Sequence, residues 1–366
     1  MKKVVFIIGA RPNYMKLAPL LRYYKSNSKI FESLISIEIV HTNQHSDLLM
    51  SKTLLRQLDI PDLQINLYNE GELNHHWSIG KSLDKLISLF SELKPDWIIV
   101  FGDINSTLIA SIAAKYLKIS LAHIEGGLRS FDREMPEEIN RLATDSISDL
   151  LYTTTEDAYN QLLLEGIPNN KIFNIGNLMI DTLMYYYQTL LTSFDNKEQE
   201  SYAILTLHRP SNVDNYERLM QICFTLQRIA RKIKILFPIH PRTKNNLIKF
   251  GLEGKLIHPN INILPPVDYF EMIKLYRNCS FVVTDSGGVQ EETTALKIPC
   301  LTLRENTERP ITVEIGSSTL VGFNMELLLE QVDSILSNKY KKSSIPPLWD
   351  GLAANRFWNH FLERIK

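Results

Sequence analysis

Phe281-Val282-Val283-Thr284-Asp285-Ser286-Gly287-Gly288-Val289-Gln290-Glu291-Glu292 runs from an apolar, β-branched stretch through a Ser-Gly-Gly turn into a helix-like segment. A buried strand that breaks at such a turn and opens a helix leaves free N–H groups in the first helical turn, and these attract an anion. Glycines without a Cβ let that anion approach the backbone. Ser286 adds a hydroxyl donor. Glu292 stands one helical turn beyond Gly288, where its carboxylate can accept both hydroxyls of a ribose. Phosphate at the turn and ribose on the carboxylate describe a nucleotide. An ordinary capped strand-to-helix connection would read the same way, so the remainder of the chain has to decide.

Outward from that stretch, short β-branched runs alternate with longer amphipathic segments. Strands are expected at Val4–Ile8, Ile37–His41, Trp97–Phe101, Leu121–Ile124 and Leu151–Thr153, and again at Ala203–Thr206, Lys234–Phe237, Ile261–Leu264, Phe281–Val283 and Cys300–Leu303. Continuous apolar strands between helices indicate parallel sheets covered on both faces. The expected fold is therefore α/β, with two doubly wound, Rossmann-like domains facing a central cleft. Residues 1–172 form the first domain and residues 173–346 the second. The polar stretch Ser193–Ser201 suits an exposed connection, and the helical pattern of Leu352–Lys366 returns to the first domain.

With 366 residues and 44% hydrophobic content, the chain can bury two large cores. Its 40 Lys and Arg nearly cancel 41 Asp and Glu, so no basic field speaks for nucleic acid or an anionic membrane. Cys223, Cys279 and Cys300 are odd in number and widely spaced, reading as buried thiols of a reducing compartment. The apolar start Val4–Ile8 resembles a signal peptide, but Gly9 and Arg11-Pro12 follow at once, and a first strand is the better reading. No stretch has the length of a membrane span. These features lead us to expect a soluble, cytoplasmic protein.

Chemistry-bearing residues collect at the carboxyl ends of the expected strands, the edge at which doubly wound sheets bind ligands. Asp103 emerges after Phe101-Gly102; capping by Asp is routine, but Asn105 and Ser106 are better placed to cap, leaving Asp103 free. Glu125 ends the next strand and is followed by Gly126-Gly127. If structural, it would need a cation, which Arg129 could supply. Glu137 follows Pro136 at the positive end of a helix, where acidity is expected without catalysis. Three carboxylates from successive units can nevertheless serve as an acid–base set. Cations stand opposite: Arg11 and Lys16 around Pro12, His208 and Arg209 after the first strand of the second series, and Arg309 in Arg304–Pro310. His75-His76 lacks further suitably spaced ligands, so no metal is expected. Neither a GxGxxG nor a GxxxxGK[ST] pattern occurs, so tightly bound NAD is not expected.

In order, GARPNYMKLAPL (9–20), FGDINST (101–107), IEGGLR (124–129), MPEEINR (135–141), LTLHRPSN (205–212), TDSGGVQEE (284–292) and TERPIT (307–312) resemble the non-hydrolysing UDP-N-acetylglucosamine 2-epimerases, across essentially the whole chain. That family is similar in fold to two-domain glycosyltransferases of the GT-B type. The resemblance implies interconversion of UDP-GlcNAc and UDP-ManNAc without a cofactor, by loss of UDP to a 2-acetamidoglucal and its re-addition. It implies catalytic positions at Asp103, Glu125, Glu137 and His208. Arg11, Lys16 and Arg309 match substrate and diphosphate ligands, and Ser286, Gly287 and Glu292 match phosphate and ribose contacts. A UDP-sugar is the implied partner, and a homodimer the implied assembly.

Departures are local. Arg209-Pro210-Ser211-Asn212 stands where many bacterial members have Arg-Arg-Glu-Asn. Gln44-His45 match part of the allosteric UDP-GlcNAc site of bacterial members, yet residues 68–76 lack the arginine expected there. A hydrolysing epimerase, an epimerase of a modified UDP-2-acetamido sugar and a GT-B glycosyltransferase share much of this pattern and stay open.

Overall fold

The computed structural model describes residues 1–44, 48–61, 65–68, 78–191 and 200–365. His45, His75-His76 and most of the expected connection Ser193–Ser201 lie outside them. The chain divides into two compact units, residues 1–182 with 347–366, and residues 183–346.

The first unit holds β1 (Lys2–Ile8), β2 (Ile35–His41), β3 (Ile65–Asn66), β4 (Trp97–Phe101), β5 (Ser120–Ile124), β6 (Leu150–Thr153) and β7 (Ile172–Asn174). They form one parallel sheet in the order β3-β2-β1-β4-β5-β6-β7. Val4 of β1 pairs with Ile37 on one side and Trp97 on the other. Val4 to Ile8 are all buried, as a strand covered on both faces requires. On one face Val5, Ile7, Ile98 and Val100 pack with Leu86, Phe90, Ile109 and Ala113. On the other, Phe6 stacks on Phe101 and meets the edge of Trp358. Trp358 belongs to the C-terminal helix Ala353–Arg364, whose indole N–H donates to the Leu20 carbonyl. The returning helix thus completes this core, its first amides donating to Asp181.

The second unit holds β8 (Tyr202–Thr206), β9 (Lys234–Pro238), β10 (Ile261–Leu264), β11 (Cys279–Thr284), β12 (Cys300–Thr302) and β13 (Ser318–Leu320), ordered β10-β9-β8-β11-β12-β13. All pairings are parallel, with Ile204 of β8 opposite both Leu236 and Val282. The core packs Leu205, Phe237, Phe281 and Leu301 against Leu219, Ile222, Leu226 and Val332.

Three short strands, β3, β7 and β13, join those expected from sequence, and each lies at a sheet edge. Because β7 pairs with β6, residues 172–174 belong to the first sheet, and the first unit runs on to Thr182. Cys223 and Cys300 are buried, Cys279 is half-buried, and none is in a disulfide. Among the described residues no helix is long and apolar enough to cross a membrane.

Candidate active site

In both sheets the strand order reverses beside the first strand of the unit, between β1 and β4 and between β8 and β11. Crevices at the carboxyl ends of strands flanking such a reversal are where doubly wound sheets hold ligands. Arg11, Lys16 and Asp103 follow β1 and β4; His208, Ser286, Gly287 and Glu292 follow β8 and β11, while Glu125 and Glu137 come after the next strand, β5, and Arg309 after β12.

In the first unit, β1 leads through Gly9-Ala10 into the helix Arg11–Ser26, with Pro12 in its first turn. The Asn13 carboxamide oxygen accepts from the amides of Gly9 and Ala10 at 3.0 and 3.2 Å and fixes this entry. Arg11 is exposed at the start of the helix; Lys16, one turn on, is buried and forms an ion pair with Glu125. Arg129, the cation that a structural Glu125 could have used, is not its partner here. Arg129 instead reaches Asp145 and Glu165. Glu125 has φ 74°, a left-handed backbone that costs a side-chain-bearing residue ~1–3 kcal/mol. The Tyr152 carbonyl, accepting from the amides of Glu125 and Gly126, holds it there.

Asp103 forms an ion pair with Arg141, which also donates to Glu138 at 3.0 Å. Glu138 in turn accepts from the amides of Ser130 and Phe131, fixing the loop ahead of the helix Pro136–Ile147. Asn140 of the same helix donates to the Asp103 carbonyl and to Asn105. Glu137 is exposed in the first turn of this helix and makes no ion pair among the described residues. Four residues before Arg141, it lies on the helix face that carries Arg141 toward Asp103. The capping expected of Asn105 and Ser106 is not found. The helix Asn105–Tyr116 is capped by Ile104 without a side-chain bond, and the Ser106 amide donates to Gln44 at 2.8 Å. Gln44 therefore binds a helix end within its own unit. Arg141 was quoted in MPEEINR without a role; its position four residues after Glu137 was the available signal.

In the second unit, Asp285 directly follows β11 and is fully buried. It accepts from the amides of His208 and Arg209 and from the Asn212 carboxamide, and His208 Nδ1 lies 2.9 Å from its Oδ1. Burial works to raise this carboxyl, but His208 and these donors prevail and hold it below the usual carboxylate range. His208 is half-exposed and oriented through Nδ1, which leaves Nε2 as the nitrogen that can serve a ligand. Asp285 lay inside the quoted stretch with no role assigned to it.

Ser286 is the N-cap of the helix Gly287–Ala295 and makes no side-chain cap bond, so its hydroxyl is not spent on the helix. Arg309 lies against the next residue: a Cβ at Gly287 would fall 2.9 Å from its Nη1, so only glycine admits this approach. Arg309 pairs with Glu291 and Glu308, and Arg304 with Glu308. Burial favours a neutral Glu308, but Arg309 and Arg304 outweigh it and hold the carboxyl well below its ordinary range. With Arg209 near both, a group of arginines gathers beside an open helix N-terminus, an arrangement suited to a diphosphate. Glu292 is buried and accepts from the Tyr276 hydroxyl at 2.6 Å. Burial pushes its carboxyl up to about 7, against the opposing effect of that hydrogen bond. The structure thus groups Lys16, Asp103 and Glu125 in one unit and His208, Ser286, Gly287, Glu292 and Arg309 in the other. Among the described residues no three His, Cys, Asp or Glu side chains are placed to hold a metal ion.

The chain matches the family model described as UDP-N-acetylglucosamine 2-epimerase over residues 30–362. It is 44% identical over 351 residues to a UDP-N-acetylglucosamine 2-epimerase of Methanocaldococcus jannaschii, covering 92% of this chain and 93% of that one. It is 36% identical over 339 residues to a UDP-2,3-diacetamido-2,3-dideoxy-D-glucuronate 2-epimerase of Pseudomonas aeruginosa, covering 91% and 92%. The crystal structure of the Methanocaldococcus jannaschii UDP-GlcNAc 2-epimerase in complex with UDP-GlcNAc and UDP superposes with a TM-score of 0.84 at 40% identity, over 99% of each chain. With its two doubly wound parallel sheets, the chain has the GT-B-like α/β fold of these proteins and belongs to the UDP-N-acetylglucosamine 2-epimerase family, a family of isomerases.

Proposed function

We propose that this protein is a non-hydrolysing epimerase that interconverts UDP-GlcNAc and UDP-ManNAc. The observation that carries the reading is the pairing of Glu125 with Lys16 and of Asp103 with Arg141 at neighbouring strand ends beside a topological reversal. Ion pairs with Arg141 and Lys16 hold the two carboxylates in fixed positions, the geometric condition for groups that exchange protons with a substrate. The relatives named for this activity supply the substrate.

In the proposed cycle the second unit binds UDP, with ribose on Glu292 and the diphosphate at Ser286, Gly287 and Arg309. A carboxylate of the first unit removes the C2 proton while the C1–O bond breaks. The electron pair of the C2–H bond becomes the C1–C2 double bond, and UDP leaves with the pair of the C1–O bond. Arg309, Arg11 and the Nε2 of His208 stabilise the charge developing on the diphosphate. A proton then returns to C2 on the opposite face, and a diphosphate oxygen attacks C1. Asp103, Glu125 and Glu137 carry the proton transfers. The proposal extends to a homodimer, as the resemblance implies, and to the cytoplasm, as the charge balance and cysteine usage suggest; sedimentation velocity and cell fractionation check these.

Incubation with UDP-GlcNAc in D2O, followed by NMR, tests the reaction. UDP-ManNAc carrying deuterium at C2 is expected without added NAD. Retention of the original hydrogen would sink elimination and re-addition, and stoichiometric free ManNAc would move the protein to the hydrolysing branch. The Pseudomonas aeruginosa relative favours a second reading, the same chemistry on a UDP-2,3-diacetamido sugar. Competition between the two substrates in that assay separates them.

A further inference from the structure

Behind the strand ends of the first unit lies a chain of four charged side chains that the proposed cycle does not use. His123 on β5 is fully buried, with Nδ1 2.7 Å from Asp145 Oδ1 and Nε2 2.8 Å from the Gly102 carbonyl. Asp145, equally buried, accepts through Oδ2 from the Gly127 amide at 3.0 Å and lies 2.7 Å from Arg129 Nη2. Arg129 closes the chain with a two-pronged bond to Glu165, Nε donating to Oε1 at 2.7 Å and Nη2 to Oε2 at 2.6 Å.

The two partners of the imidazole decide its state. A carbonyl oxygen only accepts, so Nε2 donates to Gly102. The Asp145 carboxylate already accepts through Oδ2 from a backbone amide and faces a guanidinium there, partners that suit its ionised form. An ionised carboxylate also only accepts, so Nδ1 donates as well. A ring that donates from both nitrogens is an imidazolium. Its charge is balanced inside the protein, since two cations alternate with two carboxylates along the chain, which is the condition for burying such groups.

What this chain grips is equally specific. Gly102 immediately precedes Asp103, and Gly127 follows Glu125 by two residues. The turn lies directly on Asp145: a Cβ on Gly126 would fall 2.8 Å from its Oδ1. Gly127, at φ 84°, has the Ala158 carbonyl 2.3 Å from where its Cβ would stand.

We propose that His123 is a positioning residue held as an imidazolium, and that with Asp145 it ties the Gly102 carbonyl to the Gly127 amide, thereby setting the spacing of Asp103 and Glu125. The kinetic part rests on the epimerase reading; the state of the ring does not.

Two measurements on the full-length chain test this. In protein labelled with 15N at histidine, long-range proton–nitrogen correlation should show one ring with both nitrogens protonated, and that signal should vanish in His123→Gln. Should the variant not fold, nuclear Overhauser contacts from the ring to the Gly102–Asp103 backbone assign the signal in the unmodified protein. A ring with a single proton overturns the proposal. In the D2O assay, folded His123→Gln should lose ~10–100-fold in kcat and in C2 exchange together, because a displacement of about 1 Å at a reacting group costs on that order. KM and the Kd for UDP should stay within ~3-fold. An unchanged kcat, or a KM and Kd that shift as far as kcat, overturns positioning. If the unmodified protein shows no C2 exchange at all, the epimerase reading fails, while the ring measurement still decides the state of His123.

Discussion

The two units of the chain handle their carboxylates in opposite ways. In the first unit Asp103 meets Arg141 from the helix beyond the neighbouring β5, and Glu125 meets Lys16 from the helix after β1, two strands away. In the second unit Glu292 accepts from the Tyr276 phenol, and burial raises its carboxyl to about 7. The cations there are set instead around Glu308 and Glu291, beside an open helix end. A carboxylate with a fixed cation keeps one geometry through a reaction. One held by a hydroxyl exchanges that bond for a ligand's hydroxyls at small cost. The contrast separates a unit suited to moving protons from a unit suited to grasping and releasing a nucleotide.

Removing the fixed charges is the largest disturbance. Asp103→Asn and Glu125→Gln should each lower turnover by ~10²–10⁴-fold, the usual contribution of a positioned acid or base. UDP affinity by calorimetry should remain within ~3-fold of the unmodified protein. Glu125→Gln also leaves Lys16 buried without a carboxylate, so circular dichroism must accompany it. A comparable loss of UDP binding in both variants would erase the distinction between the units.

Glu292→Ala should do the reverse, weakening UDP by ~1.5–3 kcal/mol, roughly 10–150-fold, as the loss of a charged hydrogen-bond acceptor does. Unchanged affinity in a folded variant would make this carboxylate purely structural.

The raised Glu292 carboxyl gives a smaller effect with a definite sign. Ribose hydroxyls donate to the ionised form, and that form becomes scarcer as pH falls below about 7. UDP affinity should therefore be flat above pH 8 and decline toward at most ~10-fold per pH unit below pH 6. In Tyr276→Phe, loss of the hydrogen bond that lowers Glu292 should move the midpoint upward, and affinity at pH 7 should drop several-fold. A pH-independent Kd from 5.5 to 8.5 would place Glu292 outside the ribose site.

What could be read from the sequence follows the range of the interactions. Long central strands declared themselves because five or more consecutive apolar residues need two covered faces. β3, β7 and β13, at two or three residues each, are too short to carry a period and exist because an edge was available to pair with. The Ser286-Gly287 turn and the strand-end carboxylates were legible because a local pattern defines them. Their partners were not. Arg129 is four residues from Glu125 and looked the natural cation, but a left-handed residue and a glycine turn separate the two side chains. The place fell to Lys16, more than a hundred residues away along the chain and brought near by the pairing of β1, β4 and β5. Asp285 and Asp145 stayed hidden for the same reason, since an orienting carboxylate is recognised by what it touches.

The C-terminal helix has a consequence for how this protein is made. Its Phe357, Trp358 and Phe361 cover Phe6, Phe31, Trp97 and Tyr152, residues that leave the ribosome far earlier. Between residue 182 and residue 347 the whole second unit must be synthesised, which takes on the order of ten to thirty seconds at typical elongation rates. Throughout that interval a nascent first unit would display an uncapped aromatic patch, an invitation to chaperones and to neighbouring nascent chains. A stop codon only a few residues before Trp358 would leave every residue of the candidate site intact and still strip this aromatic cover from the first unit for good.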